Sequence, residues 1–252
     1  MKSLNTYIIE KFQGSKDNIN PYSYYPKTKE ELREILEERL AEDINANLND
    51  IIVSDITDMT SLFEDLDPHN IDISEWDVSN VTNMHHMFYN CEKFNSNLSG
   101  WDVSKVTNMF CMFYGCGKFD SDLSKWNVSR VIDMQHMFSY CYEFNSDLTN
   151  WNVSKVRKMR YMFYMCKKFD GDVSKWNVSA VEHMDAMFYM CTKFNGDVSK
   201  WNVGNVTTML NMFLGCEKFD SDLSNWNVSN VTNMEHMFYG CDSLKNEPNW
   251  YK

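Results

Sequence analysis

Several features that mark common classes of protein are scarce in this chain of 252 residues. It holds only 4 prolines and 9 glycines, whereas a long disordered linker usually carries more of them. No apolar run approaches the roughly 18 residues of a membrane-spanning helix, so membrane insertion is not expected. Basic residues are outnumbered, and the formal net charge is -12. Because an acidic surface repels phosphate backbones, no nucleic-acid partner is expected.

The N-terminus lacks the marks of export. The apolar stretch within residues 1–12 is too short for a signal-peptide core, and no small-residue cleavage site follows it. The first cysteine is Cys91, so there is no lipobox. These features predict a cytoplasmic or virion-associated chain and leave the compartment itself open.

No reaction centre is visible in the sequence. It shows no nucleophile paired with a base, no glycine-rich phosphate loop and no paired carboxylates outside its repeating part. A residue that recurs in every copy of a repeat is a poor catalyst, because a catalytic site needs one convergent place. The chain is therefore predicted to be non-enzymatic and to need no cofactor.

What the sequence has in abundance is a single repeating unit. Trp, Phe, Cys and a pair of Met each recur every 25 residues without insertion, about eight times from Leu48 onward. The tryptophans are Trp76, Trp101, Trp126, Trp151, Trp176, Trp201 and Trp226. Because one unit cannot bury its own large apolar side chains, neighbouring copies must stack.

The apolar period changes within each unit. Leu123 lies between polar residues, and Trp126 and Val128 alternate with polar ones, which is typical of a short strand. The next apolar residues have the spacing of one helix face and predict a helix of about two to three turns. They are Val131, Met134, Met137 and Phe138. The sequence thus predicts an α/β fold, a solenoid of about eight strand-plus-short-helix layers.

Residues 1–47 do not follow the repeat. Residues 28–31, Thr-Lys-Glu-Glu, have the form of a capping box. Apolar residues follow at helical spacing and predict a helix of about 14 residues that covers the first layer. These residues are Leu32, Ile35, Leu36 and Leu40. Residues 1–12 are a candidate for another short helix. The chain thus divides into a helical N-terminal cap, residues 1–47, and a repeat solenoid, residues 48–252.

The unit resembles the BspA-like leucine-rich repeat. Residues 81–104 carry its pattern, V-T-N-M-x-x-M-F-Y-x-C-x-x-F-N-x-x-L-S-x-W-D-V-S. More narrowly, it is similar to the repeat of about 25 or 26 residues in surface proteins and lipoproteins of Mycoplasma, Listeria and gut bacteria. The resemblance implies an α/β leucine-rich-repeat solenoid. It also implies roles in adhesion and protein binding, often at the cell surface.

One copy, residues 151–169, departs from the pattern of the others. It carries a cluster of basic and aromatic residues, and at several of these positions other copies have Thr, Asn or acidic residues. These residues are Lys155, Arg157, Lys158, Arg160, Tyr161, Tyr164, Lys167 and Lys168. On an acidic protein such a patch is a candidate site for an acidic protein partner. The simpler alternative is a solvated face without a partner.

The most regular polar column is acidic. It consists of Asp122, Asp147, Asp172, Asp197 and Asp222, and Asn and Asp alternate beside it. Stacked carboxylates raise one another's pKa or recruit a divalent cation. Asx side chains also cap turns by accepting backbone N–H groups. The sequence favours turn capping and leaves a cation column as the alternative.

The cysteines and histidines give no further sign of a metal site. Seven of the eight cysteines recur in register, with Cys111 extra, and they are expected to form a column of buried free thiols. His86, His136 and His236 share one repeat position, but they are 50 and 100 residues apart. Because metal ligands must converge on one point, no metal is expected there.

Two functions stay open at this level. We expect a protein-interaction module, for adhesion or binding, that presents an extended repeat surface to a protein partner. The alternative is a structural or virion assembly component in which the stack serves as a rigid spacer. The sequence names neither the partner nor the oligomeric state.

Overall fold

In the computed structural model, which describes residues 23–252, the chain forms a stack of 25-residue coils. The one helix in this range is α1 (Lys29–Glu42), and residues 23–252 contain no β-strand. Isolated parallel bridges join neighbouring coils instead, mostly at one position per coil. That column runs through Asp58, Asn83, Asn108, Asp133, Lys158, His183, Thr208 and Asn233. None of the described helices is long and apolar enough to cross a membrane.

The predicted α/β fold, a leucine-rich-repeat-like solenoid of strand-plus-helix layers, is therefore wrong. Within residues 131–138, expected to be helical, there is a bridge at Asp133 followed by turns from residue 135 onward, and residues 123–128 contain a turn at 124–125 rather than a strand. An α-helix needs each N–H to reach the carbonyl four residues back. Here every second N–H group points to the next coil, so the continuous hydrogen bonds of an α-helix cannot form.

The hydrogen bonds of one coil show the alternation. The N–H groups of residues 84, 86, 88 and 90 donate to the carbonyls of residues 108, 110, 112 and 114 at 2.7–3.0 Å. The intervening N–H groups of residues 87, 89 and 91 donate to carbonyls three residues back at 3.0–3.2 Å. His86 and Asn90 have φ of 56° and 59°. Residues in this left-handed region turn the chain and exclude a continuous right-handed helix.

The tryptophan column is the most regular part of the core. Trp126 and Trp151 stack with ring centres 6.5 Å apart and planes 2° apart. The Trp151 indole N–H donates to the carbonyl of Leu123, 28 residues back, at 3.0 Å. The same bond recurs at every tryptophan of the stack, so each ring both fills the core and satisfies a buried carbonyl.

Phenylalanine and cysteine form a second buried column. Phe88, Phe113 and Phe138 stack at 5.5 and 5.7 Å, and none is exposed. The Cys116 thiol donates to the carbonyl of Phe88 at 3.0 Å, and the later cysteines repeat this contact. All eight cysteines are buried and unpaired, as predicted for the seven that recur in register.

The helix α1 lies where the capping box places it. The Thr28 side chain accepts the N–H of Glu31, and the helix buries Leu32, Ile35, Leu36 and Leu40. Tyr24 adds a parallel bridge to Ile51. The helix predicted within residues 1–12 lies outside the described residues. The division of the chain at residue 47 stays a prediction.

Replacing Trp151 separates its two roles. Trp151→Ala should lower the free energy of unfolding by about 3–5 kcal/mol, because a ring 3% exposed leaves a cavity. Trp151→Phe keeps most of the volume but removes the indole N–H and leaves the Leu123 carbonyl with the Trp126 N–H as its donor, which should cost about 0.5–1.5 kcal/mol. Urea denaturation followed by circular dichroism measures both. A neutral Trp151→Ala would contradict the core assignment.

The thiol column should make the protein sensitive to alkali. Burial raises the pKa of the thiols, to about 12 for Cys111 and Cys241 and well above the usual range for the others. Unfolded thiols ionise near pH 8.5. Above that pH the unfolded chain binds fewer protons, so stability is full below it and falls as pH rises, by up to about 1.4 kcal/mol per thiol and pH unit.

Urea midpoints at pH 7, 8, 9 and 10 test this expectation, with Cys116→Ala as a variant that has one thiol fewer and a shallower slope. In parallel, a thiol reagent at pH 8 should react only when urea is added. Rapid labelling of the folded protein would contradict the buried column.

Candidate interaction surface

The basic residues of the copy at 151–169 are largely neutralised by neighbouring coils. Lys158 Nζ lies 3.2 Å from Asp133 Oδ2, one coil earlier, and Arg157 Nη1 lies 3.8 Å from Glu182 Oε1, one coil later. Lys168 pairs with Glu143. Because each cation faces an acid 25 residues away, this surface does not present a block of free positive charge.

Arg160 makes the most buried of these pairs. Its Nε lies 2.6 Å from Oδ2 of Asp185, whose side chain is only 9% exposed. The two atoms form an ion pair without the angles of a hydrogen bond. Thr208 donates to the other oxygen of Asp185, and Arg160 Nη2 lies 3.3 Å from His183 Nδ1. Arg160 therefore serves the packing of two coils.

The remaining predicted residues are two lysines and two tyrosines. Lys155 is exposed and makes no hydrogen bond, ion pair or ring contact within residues 23–252. Lys167 lies over the ring of Tyr142, with Nζ 5.5 Å from the ring centre. Tyr161 and Tyr164 have ring centres 5.7 Å apart and belong to a larger aromatic surface.

That surface, the aromatic ridge, consists of nine half-buried rings on five successive coils. They are His86, Tyr89, Phe110, Tyr114, His136, Tyr140, Tyr161, Tyr164 and Tyr189. The tyrosines form an unbroken row, with ring centres 4.8, 5.3, 5.2 and 4.5 Å apart from Tyr89 to Tyr189. His136 joins the inner side of the row by stacking on Tyr161 at 4.5 Å. At roughly 4.8 Å per coil, the ridge is about 20 Å long.

The backbone beneath the ridge is fixed by the ladder between coils. His86, His136 and Tyr161 have φ of 55–57°, and their N–H groups donate to the next coil. The Ser139 hydroxyl donates to the carbonyl of Tyr161 at 2.7 Å and lies 3.1 Å from His136 Nδ1. The rings are therefore held in place before any partner arrives.

The ridge is uncharged at neutral pH. Partial burial raises the pKa of Tyr114 and Tyr164 to about 12. Partial burial also lowers the pKa of His86 and His136, although Asp133 acts against this at His136. A neutral aromatic strip on a chain of net charge -12 is distinct from the surface around it.

Comparison with known proteins identifies the repeat. The family model described as "Mycoplasma protein of unknown function, DUF285" matches residues 31–151, 98–197 and 133–251. The chain belongs to this family. No curated protein and no solved structure matches it.

The three DUF285 matches overlap and are displaced along the chain, which is what a tandem repeat produces. Together they extend from α1 to the last coil. The predicted tandem repeat is thus confirmed.

The ridge was missed in the sequence because its members do not share one repeat position. Tyr89, Tyr114, Tyr164 and Tyr189 recur in register, but Ser139 takes the place between them and Tyr140 supplies the ring. The recurring tyrosine was a usable signal. The contact of Tyr140 with both neighbouring coils becomes visible only when the coils are stacked.

The aspartate column caps turns in this DUF285 chain. Asp147 Oδ1 accepts the N–H of Thr149 at 2.9 Å and its hydroxyl at 2.6 Å. Hydrogen bonds from the residue two positions later lower the pKa of Asp122, Asp147, Asp172, Asp197 and Asp222, whereas stacked carboxylates were expected to raise it. Within residues 23–252, no group of three or more His, Cys, Asp or Glu side chains could hold a metal ion.

The neighbouring Asn and Asp column links the coils. Asn145 accepts the N–H of Asp170 at 2.9 Å, and Asp120 accepts that of Asn145 at 2.8 Å. Each such side chain replaces a backbone carbonyl as the acceptor for the following coil. Asn and Asp serve equally well, which explains their alternation in the sequence.

Removing Arg160 should leave the Asp185 carboxylate buried without a cation. We expect Arg160→Met to lower the free energy of unfolding by about 1–3 kcal/mol. The double variant Arg160→Met/Asp185→Asn should recover most of that loss. A double-mutant cycle from urea denaturation gives the coupling energy. A coupling energy near zero would show that Arg160 is a free surface charge.

Proposed function

We propose that the protein is a non-enzymatic protein-interaction module whose binding surface is the aromatic ridge. The observation that carries this proposal is the row of half-buried rings across five coils, which contact one another alternately by stacking and edge to face. Tyrosine-rich surfaces are typical of binding hot spots, since each ring offers a large apolar area and a polar edge. The partner is expected to bring an apolar surface with hydrogen-bond acceptors for the tyrosine hydroxyls.

Variation within the chain supports this assignment. At the position of His86 the successive coils carry Cys, His, Tyr, Ala, Asn and His, whereas the adjacent position is always Met. The core therefore fixes one position and leaves its neighbour free. Variable side chains on a fixed backbone are what a binding surface needs, because little conformational entropy is lost on association.

The resemblance of the unit to BspA-like surface proteins and lipoproteins supports a binding or adhesion role of the same kind. The basic residues of the copy at 151–169 contribute less than the sequence indicates, because acids on adjacent coils pair with most of them. Tyr161 and Tyr164 stay within the proposed site as members of the ridge.

The proposal is tested by comparing how much partner protein is captured by the unaltered chain and by matched variants. Tyr114→Ser/Tyr164→Ser interrupts the tyrosine row in two places. Ile132→Thr is the control, since it removes an exposed apolar side chain (47% exposed) outside the ridge and restores the Thr found in other coils. Quantitative mass spectrometry should show a loss of on the order of tenfold for the tyrosine variant and none for the control.

A third variant separates the ridge from the basic residues. Lys158→Asp/Asp133→Lys exchanges the partners of one ion pair, so it moves the charge while keeping the pair. Capture is expected to persist. If this variant loses the partner and the tyrosine variant keeps it, the binding site is the basic copy. If no variant affects capture, the ridge has no part in binding, as in a rigid spacer.

A further inference from the structure

Successive coils lie closer together along the aromatic ridge than along the tryptophan column. Tyr164 and Tyr189 stack with ring centres 4.5 Å apart, whereas Trp151 and Trp176 of the same two coils are 6.4 Å apart. An earlier pair of coils shows the same difference, 4.8 Å between its tyrosines and 6.4 Å between its tryptophans. Because the distance between equivalent residues measures the local spacing of the coils, the stack curves toward the ridge. The ridge thus lies on the concave side, which stacked repeat proteins use for binding.

The stacked tyrosines turn their edges, and not their faces, to a partner. In the pairs Tyr89/Tyr114 and Tyr164/Tyr189 the planes are 13° and 11° apart, so each ring covers one face of its neighbour. Tyr140 lies between the two pairs, turned by 69° and 63° against its neighbours. The edge of an aromatic ring carries the positive part of its quadrupole, and the edge of tyrosine also carries the hydroxyl donor. Such a row favours a partner with many hydrogen-bond acceptors over one with many donors.

The spacing of the coils selects the conformation of a peptide that lies along the ridge. Tyrosines in register are 4.8 and 4.5 Å apart from one coil to the next, so two coils advance about 9.0–9.6 Å. One turn of a polyproline II helix has three residues and advances about 9.3 Å. An α-helix has turns about 5.4 Å apart and would lose the register by roughly 0.6–0.9 Å at every coil. A β-strand repeats its side chains about every 6.8 Å, between one coil and two, so polyproline II alone of the three keeps its register.

The backbone of a proline-rich segment also has the hydrogen-bonding groups that the ridge favours. Polyproline II has no internal hydrogen bonds, so its carbonyls are free to accept from the tyrosine hydroxyls. Proline has no N–H, and its contact with an aromatic surface therefore leaves no buried donor without a partner. Both surfaces are ordered before they meet, which keeps the entropic cost of association low. Aromatic-lined surfaces are a recurring means of binding such segments.

The two ends of the ridge differ in charge. The tyrosine position is taken by Glu64 in the coil before Tyr89 and by Leu214 in the coil after Tyr189. Glu64 is partly exposed, and its carboxylate forms no ion pair within the range 23–252. The row of neutral rings therefore begins beside a carboxylate without a cation and ends at an apolar side chain. A ligand with a basic residue at one end would be held in one direction, with that residue beside Glu64.

We propose that the aromatic ridge binds a proline-rich peptide segment in the polyproline II conformation, with a basic residue at the end beside Glu64. About six residues, two turns of the helix, span the ridge from Tyr89 to Tyr189. The proline rings pack against the tyrosine edges, and the backbone carbonyls accept from the hydroxyls. This inference rests on the proposed function of the ridge, because it names the chemistry of the partner that binds there.

The probe is a fluorescent oligoproline of about eight residues, long enough to exceed the ridge, that carries an arginine at one end or at the other. Fluorescence anisotropy measures its affinity for the full chain. We expect one of the two orientations to bind on the order of tenfold more tightly than a glycine–serine peptide of equal length and charge, because the flexible peptide must be ordered on binding. NMR chemical-shift changes in the labelled protein should be confined to the coils of the ridge.

Matched variants locate the bound peptide. Tyr114→Ser/Tyr164→Ser should weaken its binding about tenfold or more, and Tyr114→Phe/Tyr164→Phe, which keeps both rings, should weaken it less. Glu64→Lys should weaken binding of the arginine-ended oligoproline and strengthen binding of a glutamate-ended one. Glu75→Lys makes the same charge change at an exposed residue next to Trp76, on the tryptophan side of the stack, and should leave the binding unchanged.

Equal binding of the oligoproline and the glycine–serine peptide would overturn the proposal, as would oligoproline binding that the tyrosine variants do not change. Preferred binding of a helical peptide or of an oligosaccharide to the ridge would overturn it as well. If the oligoproline does not bind but Tyr114→Ser/Tyr164→Ser loses the captured protein, the ridge is the binding surface and only the assigned conformation of its partner is wrong. If the oligoproline binds the ridge but capture is the same for every variant, the proposed function fails and the peptide site stands.

Discussion

The fold depends on one constraint, the use of every second backbone N–H to reach the next coil. At positions such as 84, 86, 88 and 90 the N–H groups bond to the next coil, and the N–H groups between them close four-residue turns by bonding to carbonyls three residues back. Neither a helix nor a sheet results, but nearly every backbone group in the strip has a partner. Each coil is therefore stable only against a neighbour, and the stack is the smallest folded unit.

The hydrogen-bond ladder between coils involves only part of each coil. Side chains form hydrogen bonds with backbone groups in the remaining part. The Trp indole and the Cys thiol each donate to a carbonyl 28 residues back, and Asn or Asp accepts an N–H of the next coil. The residue types that recur most strictly are therefore those that combine a fixed volume with one hydrogen bond. Phe and Met recur for volume alone. The positions equivalent to His85 and His86 do not have to supply both a fixed volume and a hydrogen bond, and the residue at these positions varies from coil to coil.

The period of the fold could be read from the sequence, but its local conformation could not. The Trp column, the buried thiols and α1 follow from spacing and capping. The turns do not, because Val131, Met134 and Phe138 have the same spacing on a helix face and in a row of turns. Most left-handed positions hold other residues, such as His, Cys, Tyr, Ala, Asn and Met, so the usual signal of positive φ is present only at Gly115, Gly215 and Gly240.

The candidate site could likewise be predicted from the sequence only in part. The pairing of Lys158 with Asp133 and of Arg160 with Asp185 lies at a spacing of 25, so the repeat itself contained that information. A basic copy in a stacked repeat has to be considered together with the copies before and after it. Tyr140 is different, since it leaves the register by one residue and completes the tyrosine row across a gap at Ser139. A contact of that kind depends on the direction in which a left-handed residue projects its side chain, which only the folded coils define.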